Sequence, residues 1–194
     1  YEDAQLIAIN KPAGLATQGG SGITEHVDGL LPALQGQSPQ PPKLVHRLDK
    51  DTSGLMVVAK HDHAHRGLSQ QFQDRTLSRT YWAFVHHVPT LATGHIDAPI
   101  ARSIKDRTKM CVVSSRQSNN QNHARDAFTT YTVCHRFGTR ASQLNCTLKT
   151  GRTHQIRVHL AHGRHPVLGD RLRLPCPACR GSLANVSRLV VSSR

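Results

Sequence analysis

Acidic residues are scarce in this chain. Twelve Asp and Glu stand against twenty-five Lys and Arg among 194 residues, a formal net charge of +13. That deficit suits a polyanionic partner, because neutralising phosphates releases their counterions. Long hydrophobic runs are also missing: no apolar stretch approaches the roughly 20 residues that span a bilayer, so no membrane partner is expected. The opening residues lack the layout of a secretory signal. Cysteines number five, an odd count at scattered positions, which argues against a disulfide framework and for a reducing compartment. Cys176-Pro177-Ala178-Cys179 is the one close pair, but a structural zinc site needs a second pair at matching spacing. No metal is expected. Internal repeats are lacking too, and the length fits one domain able to bury a core. The chain opens on Tyr1 rather than Met, so a preceding segment is expected.

What is present reads mainly as strands. Leu6-Ile7-Ala8-Ile9 is a short apolar run ended by Lys11-Pro12-Ala13-Gly14, a strand and its turn. Gly19-Gly20-Ser21-Gly22 is loop-like, either a close approach to a ligand or a flexible turn. Thr24 is placed to cap a helix with Val27, Leu30 and Leu31 on its apolar face, stopped by Pro32. Leu55 to Ala59 is apolar throughout and reads as a strand buried on both faces. Asp62 is placed to cap a helix carrying Leu68 and Phe72. Tyr81, Ala83 and Val85 share one face of a strand. Residues 114–126 are polar and read as an exposed insertion. Thr129 to Val133 has strong strand propensity, and Leu144, Cys146 and Leu148 alternate. After Gly151 a helix is expected, with Thr153 as its cap and Ile156 and Leu160 inward. The pattern is α+β around a largely antiparallel sheet with flanking helices.

The stretch His46-Arg47-Leu48-Asp49-Lys50-Asp51-Thr52-Ser53-Gly54 sets a carboxylate between basic residues, just before a turn and the Leu55–Ala59 strand. Upstream lies Asn10-Lys11-Pro12-Ala13-Gly14-Leu15. Downstream lie Arg79-Thr80-Tyr81-Trp82-Ala83-Phe84-Val85, then Thr150-Gly151-Arg152-Thr153-His154-Gln155-Ile156-Arg157-Val158-His159, then His165-Pro166-Val167-Leu168-Gly169-Asp170. In this order the segments resemble the motifs of the RluA-type pseudouridine synthases. The resemblance implies the synthase catalytic fold, a mixed and largely antiparallel sheet with a central RNA-binding cleft. It implies a cofactor-free enzyme that isomerises uridine in RNA. A single catalytic domain over 1–194 is expected, without the N-terminal S4-type module of many relatives and with an atypical segment at 171–194.

Under that resemblance Asp49 is the catalytic carboxylate, Tyr81 the aromatic that stacks on the extruded base, and Arg157 the charge partner that keeps the carboxylate ionised. A carboxylate suits the reaction, since it can attack the ribose C1′ or remove a sugar proton. A buried one needs an opposite charge to stay ionised, and a guanidinium supplies it with fixed orientation. Arg47 resembles the residue that engages RNA around the flipped nucleotide. His46, Lys50, Arg79 (where the family more often has Lys), Arg152, His154 and Gln155 complete the expected RNA contacts. Each residue also has a plainer reading: a turn aspartate for Asp49, a surface arginine for Arg157, a core tyrosine for Tyr81.

His61-Asp62-His63-Ala64-His65 raises a metal-dependent hydrolase as a rival, but alternating spacing misses the i, i+4 geometry a helix would need. After Asp170 the sequence runs Arg171-Leu172-Arg173-Leu174 instead of the family's Tyr-Gly pair, and no Leu-His-Ala follows. Leu183 to Val191 is the expected substitute strand. These departures support a second reading, a catalytically silent RNA-binding factor in large-subunit assembly. The Gly19–Gly22 loop resembles the branch acting on large-subunit ribosomal RNA, favoured here over tRNA, with the assembling large subunit as a further partner. The basicity, the insertion and the altered tail point to the mitochondrial matrix, with the bacterial cytoplasm as the alternative.

Overall fold

The structure is a computed structural model that describes residues 1–104, 106–113 and 124–170, and the backbone of 187–189. The chain divides into two compact units, Tyr1–Ser78 with Ser187–Arg194, and Arg79–Val186.

In the first unit, β1 (Leu6–Lys11) and β2 (Lys43–Leu44) both run antiparallel to β3 (Ser53–Ala59). The β1 register runs from Leu6 opposite Ala59 to Lys11 opposite Gly54. Met56, Val58 and Ala59 are buried while Leu55 and Val57 are half-buried. The strand thus has one fully buried face and one partly covered, rather than two buried faces. Helix α1 (Val27–Leu30) is a single turn followed by a 3-10 turn at Leu31–Leu34, which Pro32 opens rather than stops. Its cap is His26, whose Nδ1 accepts from the Gly29 N–H at 2.9 Å, not Thr24. Helix α2 (Asp62–Gln73) starts the same way: His61 Nδ1 accepts from Ala64 N–H, while Asp62 lies inside the first turn and pairs with Lys43. A ring nitrogen here fills the role usual for a hydroxyl or carboxylate, satisfying one of the amides that a helix start leaves unbonded. Two histidines of the suspected metal cluster therefore have work in the fold, His61 as cap and His65 bonded through Nε2 to the Leu44 carbonyl.

The second unit is an antiparallel sheet in the order β4 (Thr80–His86), β9 (Ala141–Leu148), β8 (Phe128–Phe137), β5 (Thr93–Asp97), with a small ribbon of β6 (Ile100–Arg102) and β7 (Met110–Val112). Gly138, at φ 59°, supplies the left-handed residue of the β8–β9 turn. Helix α3 (Gln155–His162) joins two apolar clusters. Leu160 packs with Ala83, Val85, Leu144, Cys146 and Val167, against which Tyr81 and Ile156 also lie. Val158 packs with Ile100 and Ala127. Burial pushes the Cys146 thiol up to about 12, so it serves as a small apolar side chain. The helix begins after His154, in the left-handed region at φ 56°, and not at a Thr153 cap.

The last strand, β10 (Ser187–Leu189), returns to the first unit and pairs parallel with β3. It falls within the substitute strand expected at 183–191, of which 183–186 and 190–191 lie outside the described residues, as do Cys176, Cys179 and 114–123 of the expected insertion. Both units pair sheet with helix, the α+β class the sequence pattern indicates. Among the described residues no helix is long and apolar enough to cross a membrane.

Candidate functional site

The loop that carries Asp49 is built from the chain's opening segment. Lys11 ends β1 and is 1% exposed. Its ammonium donates to the carbonyls of Pro12 (2.8 Å), Leu15 (2.7 Å) and Lys50 (3.0 Å), matching an ammonium's three N–H donors. Thr17, also buried, donates through Oγ1 to the Leu48 carbonyl at 2.6 Å and accepts from the Leu48 N–H at 3.1 Å. The residues on either side of Asp49 are thus fixed by side chains from thirty to forty positions earlier. Gly14 N–H bonds the Lys50 carbonyl and Thr52 N–H bonds that of Asp49, closing the turn. Asp49 itself is half-buried, whereas Arg47 and Lys50 are exposed. Burial holds the Lys11 ammonium below its ordinary pKa, against the opposing pull of Asp51 and Asp49. His46, expected on RNA, is half-buried; its Nε2 accepts from Val57 N–H at 3.0 Å and its ring stacks on Phe72 at 4.7 Å.

The second unit gathers the other expected residues. Tyr81, on β4 opposite Cys146, lies half-buried against the same apolar cluster as Ile156 of α3. The Arg79 guanidinium lies over Gly151, where a Cβ would stand 2.5 Å from Nη1. Arg152 donates through Nε to the Asp126 carbonyl. Arg157, the third residue of α3, donates through Nε and Nη2 to the two carboxylate oxygens of Asp170, each at 2.8 Å. The side chain of Asp170 is 3% exposed and that of Arg157 18%.

Gln155 takes a different place from the RNA contact expected of it. It is buried, and its Oε1 accepts from Thr150 Oγ1 and from Arg152 N–H, while its Nε2 donates to the Phe128 carbonyl and to Thr129 Oγ1. Thr129 then meets His159 Nδ1 at 2.9 Å, and His159 Nε2 meets the Ala98 carbonyl at 2.9 Å. A carbonyl only accepts, so His159 donates from Nε2, and in the neutral ring Nδ1 accepts the hydrogen bond that the Thr129 hydroxyl donates. This chain of bonds anchors the start of α3 to β8 and leaves every polar atom of Gln155 bonded. His154, next to it, is held in a backbone conformation that costs a non-glycine residue about 1–3 kcal/mol. Sequence reasoning passed over Lys11, Thr17, His159 and Asp170 as working residues. Three of the four lie inside the quoted motif segments, and only a buried polar partner reveals their task.

A sequence profile described as RNA pseudouridylate synthase matches residues 5–162. Ribosomal large subunit pseudouridine synthase D of Zymomonas mobilis is 42% identical over 179 residues, covering 88% of this chain and 53% of that protein. The protein of the same name in Pseudomonas aeruginosa is 44% identical over 186 residues, covering 90% and 54%. The chain therefore spans about half the length of the curated relatives it matches. Among solved structures, human RNA pseudouridylate synthase domain containing 4 superposes with a TM-score of 0.77 at 31% identity, over 90% of this chain and 68% of the other. Human RNA pseudouridylate synthase domain containing 1 shares the fold at a TM-score of 0.78 and 23% identity, over 97% and 74%.

Lys11→Met removes the ammonium shared by three carbonyls, of which only that of Lys50 keeps a bond, from Gly14 N–H, and is expected to destabilise the protein by about 3 kcal/mol, read by urea unfolding. A cost below about 1 kcal/mol would contradict the clamp. Burial also holds His159 below its ordinary pKa near 6.5. The unfolded chain therefore binds more protons than the folded protein just below that pH, and stability falls on acidification through the window. His86, shifted the same way by burial and by His87, contributes in the same direction. Unfolding free energies from about pH 7.5 to 5 should show a shallower slope for His159→Gln than for wild type; equal slopes would rule out His159 as a source.

Proposed function

Because the chain belongs to the RNA pseudouridylate synthase family, we propose that it isomerises uridine to pseudouridine, with large-subunit ribosomal RNA as its substrate. The observation that carries this reading is the loop around Asp49, whose two neighbours are locked by buried side chains while Asp49 stays half-buried between exposed Arg47 and Lys50. A fixed backbone at this carboxylate, beside cations that suit phosphate, supports the reading.

In the reaction the N1–C1′ bond breaks, the base turns, and a C5–C1′ bond forms. The proton on C5 leaves and N1 gains one, so no redox partner or group donor enters the balance. Asp49 acts at the sugar, as nucleophile at C1′ or as the base that removes a ribose proton. Tyr81 offers its ring to the extruded base, offsetting lost stacking by about 1–3 kcal/mol. Arg157 is assigned the charge that keeps the carboxylate ionised. Arg47 and Lys50 are the leading RNA contacts, with Arg79, Arg152 and His154 flanking the second unit's segment. His46 and Gln155 act by shaping the loop and the helix start.

Ribosomal substrates are supported by the names of the Zymomonas and Pseudomonas relatives. Those relatives are bacterial, which favours the bacterial cytoplasm over the mitochondrial matrix as the working compartment. The departure from the family's pattern after Asp170 favours a second reading, a silent factor that binds the assembling large subunit.

Mapping pseudouridine on ribosomal RNA from wild-type cells, cells lacking the protein and cells carrying Asp49→Asn separates the two. The synthase reading expects one site to vanish from both altered strains. Unchanged sites together with stalled large subunits in the null strain, rescued by Asp49→Asn, would overturn it in favour of the binding factor.

A further inference from the structure

We propose that Asp170 is a positioning residue for the reaction, setting the plane and direction of the Arg157 guanidinium. The inference rests on the reading of Arg157 as the charge partner. The contact is side-on: Nε and Nη2 face the two carboxylate oxygens at 2.8 Å each. This mode fixes the planar group by one edge and directs its Nη1 edge the opposite way. A single hydrogen bond would leave the guanidinium able to swivel.

The burial is uneven in an informative sense. Asp170, at 3% exposure, is the inner partner and Arg157, at 18%, the outer one, so the pair anchors a cation and presents it outward. Asp170 is itself fixed by backbone. Leu168 N–H bonds the Phe84 carbonyl, His86 N–H bonds that of Pro166, and Asp170 N–H bonds that of Val167. Val167 also bridges Val85. The segment before Asp170 therefore hangs on β4, the strand that carries Tyr81.

Those backbone bonds and the burial of Val167 already hold the segment to the sheet, so the ion pair is not needed for that purpose. As a pure stabiliser such a pair contributes little, because desolvation of both charges offsets most of their attraction. Its geometric product is a guanidinium locked relative to β4. A displacement of about 1 Å in a positioned group can cost on the order of a hundredfold in rate.

The test uses the full chain with an in vitro transcript of large-subunit ribosomal RNA. Asp170→Asn, Asp170→Glu, Arg157→Lys, Arg157→Ala and the Asp170→Asn/Arg157→Lys double variant are compared for kcat, KM, RNA affinity and urea unfolding. Asp170→Asn should lower kcat about ten- to a hundredfold while KM and RNA affinity stay within about twofold. Asp170→Glu, which keeps the charge but shifts it by one methylene, should fall between Asn and wild type. In the Arg157→Lys background, where the side-on contact cannot form, Asp170→Asn should cost no more than about a further twofold. Losses that multiply in the double variant, or wild-type kcat in Asp170→Glu or Asp170→Asn, would overturn the proposal. Should Asp170→Asn unfold, the Asp170→Glu result decides. Full activity in Arg157→Ala would instead remove the assignment of Arg157 on which the proposal rests.

Discussion

The burial of one ammonium group underlies the candidate site. Lys11, at 1% exposure, sits with its charge inside a cage of three main-chain carbonyls. Removing an ammonium from water costs several kcal/mol after relaxation, and charge-assisted bonds to the three carbonyls offset that cost. The offset is available only when the Pro12–Leu15 turn and the Lys50 carbonyl converge on the same point. The cage therefore stabilises the loop conformation that the proposed chemistry needs, and Asp49 occupies the position between the Leu48 and Lys50 anchors.

The second unit uses the same physics with neutral groups. Gln155 has both ends of its amide bonded, and the chain through Thr129, His159 and Ala98 ties the helix start to β8 and to the residue after β5. Buried polar networks of this kind specify one arrangement because a shift of any member leaves another unpaired in a low dielectric. Arg157 lies two residues after Gln155, so its backbone inherits that register. In both units apolar packing forms the body, and buried polar side chains determine where the chemistry-bearing residues stand.

Much of this was legible in the sequence. Alternation placed β4 and β9 with their inner faces, and the Asp49, Tyr81 and Arg157 segments stood out through their ordered motifs. Helix starts were misread because His26 and His61 cap through ring nitrogens, a role that residue preference assigns to Ser, Thr, Asp or Asn. The start of α3 was assigned to Thr153 instead of His154 because a left-handed non-glycine residue leaves no mark in composition. Gln155 and His46 were expected as RNA contacts from the family resemblance, yet Gln155 bonds the Phe128 carbonyl and His46 accepts from Val57 N–H. A polar side chain in a motif does not reveal whether it faces solvent or the interior. Lys11 and Asp170 carry that lesson in reverse, as charged residues whose task is internal.

The proposed reaction requires Asp49 to act at a uridine whose C5 hydrogen is lost as the new carbon–carbon bond forms. Release of tritium from large-subunit ribosomal RNA labelled at C5 of uridine measures that step directly. Purified wild-type protein is predicted to release label in proportion to the target uridines present, and Asp49→Asn to release none while binding the RNA about as tightly. Tritium release at equal rates from both proteins, or from neither while both bind the RNA, would contradict the account.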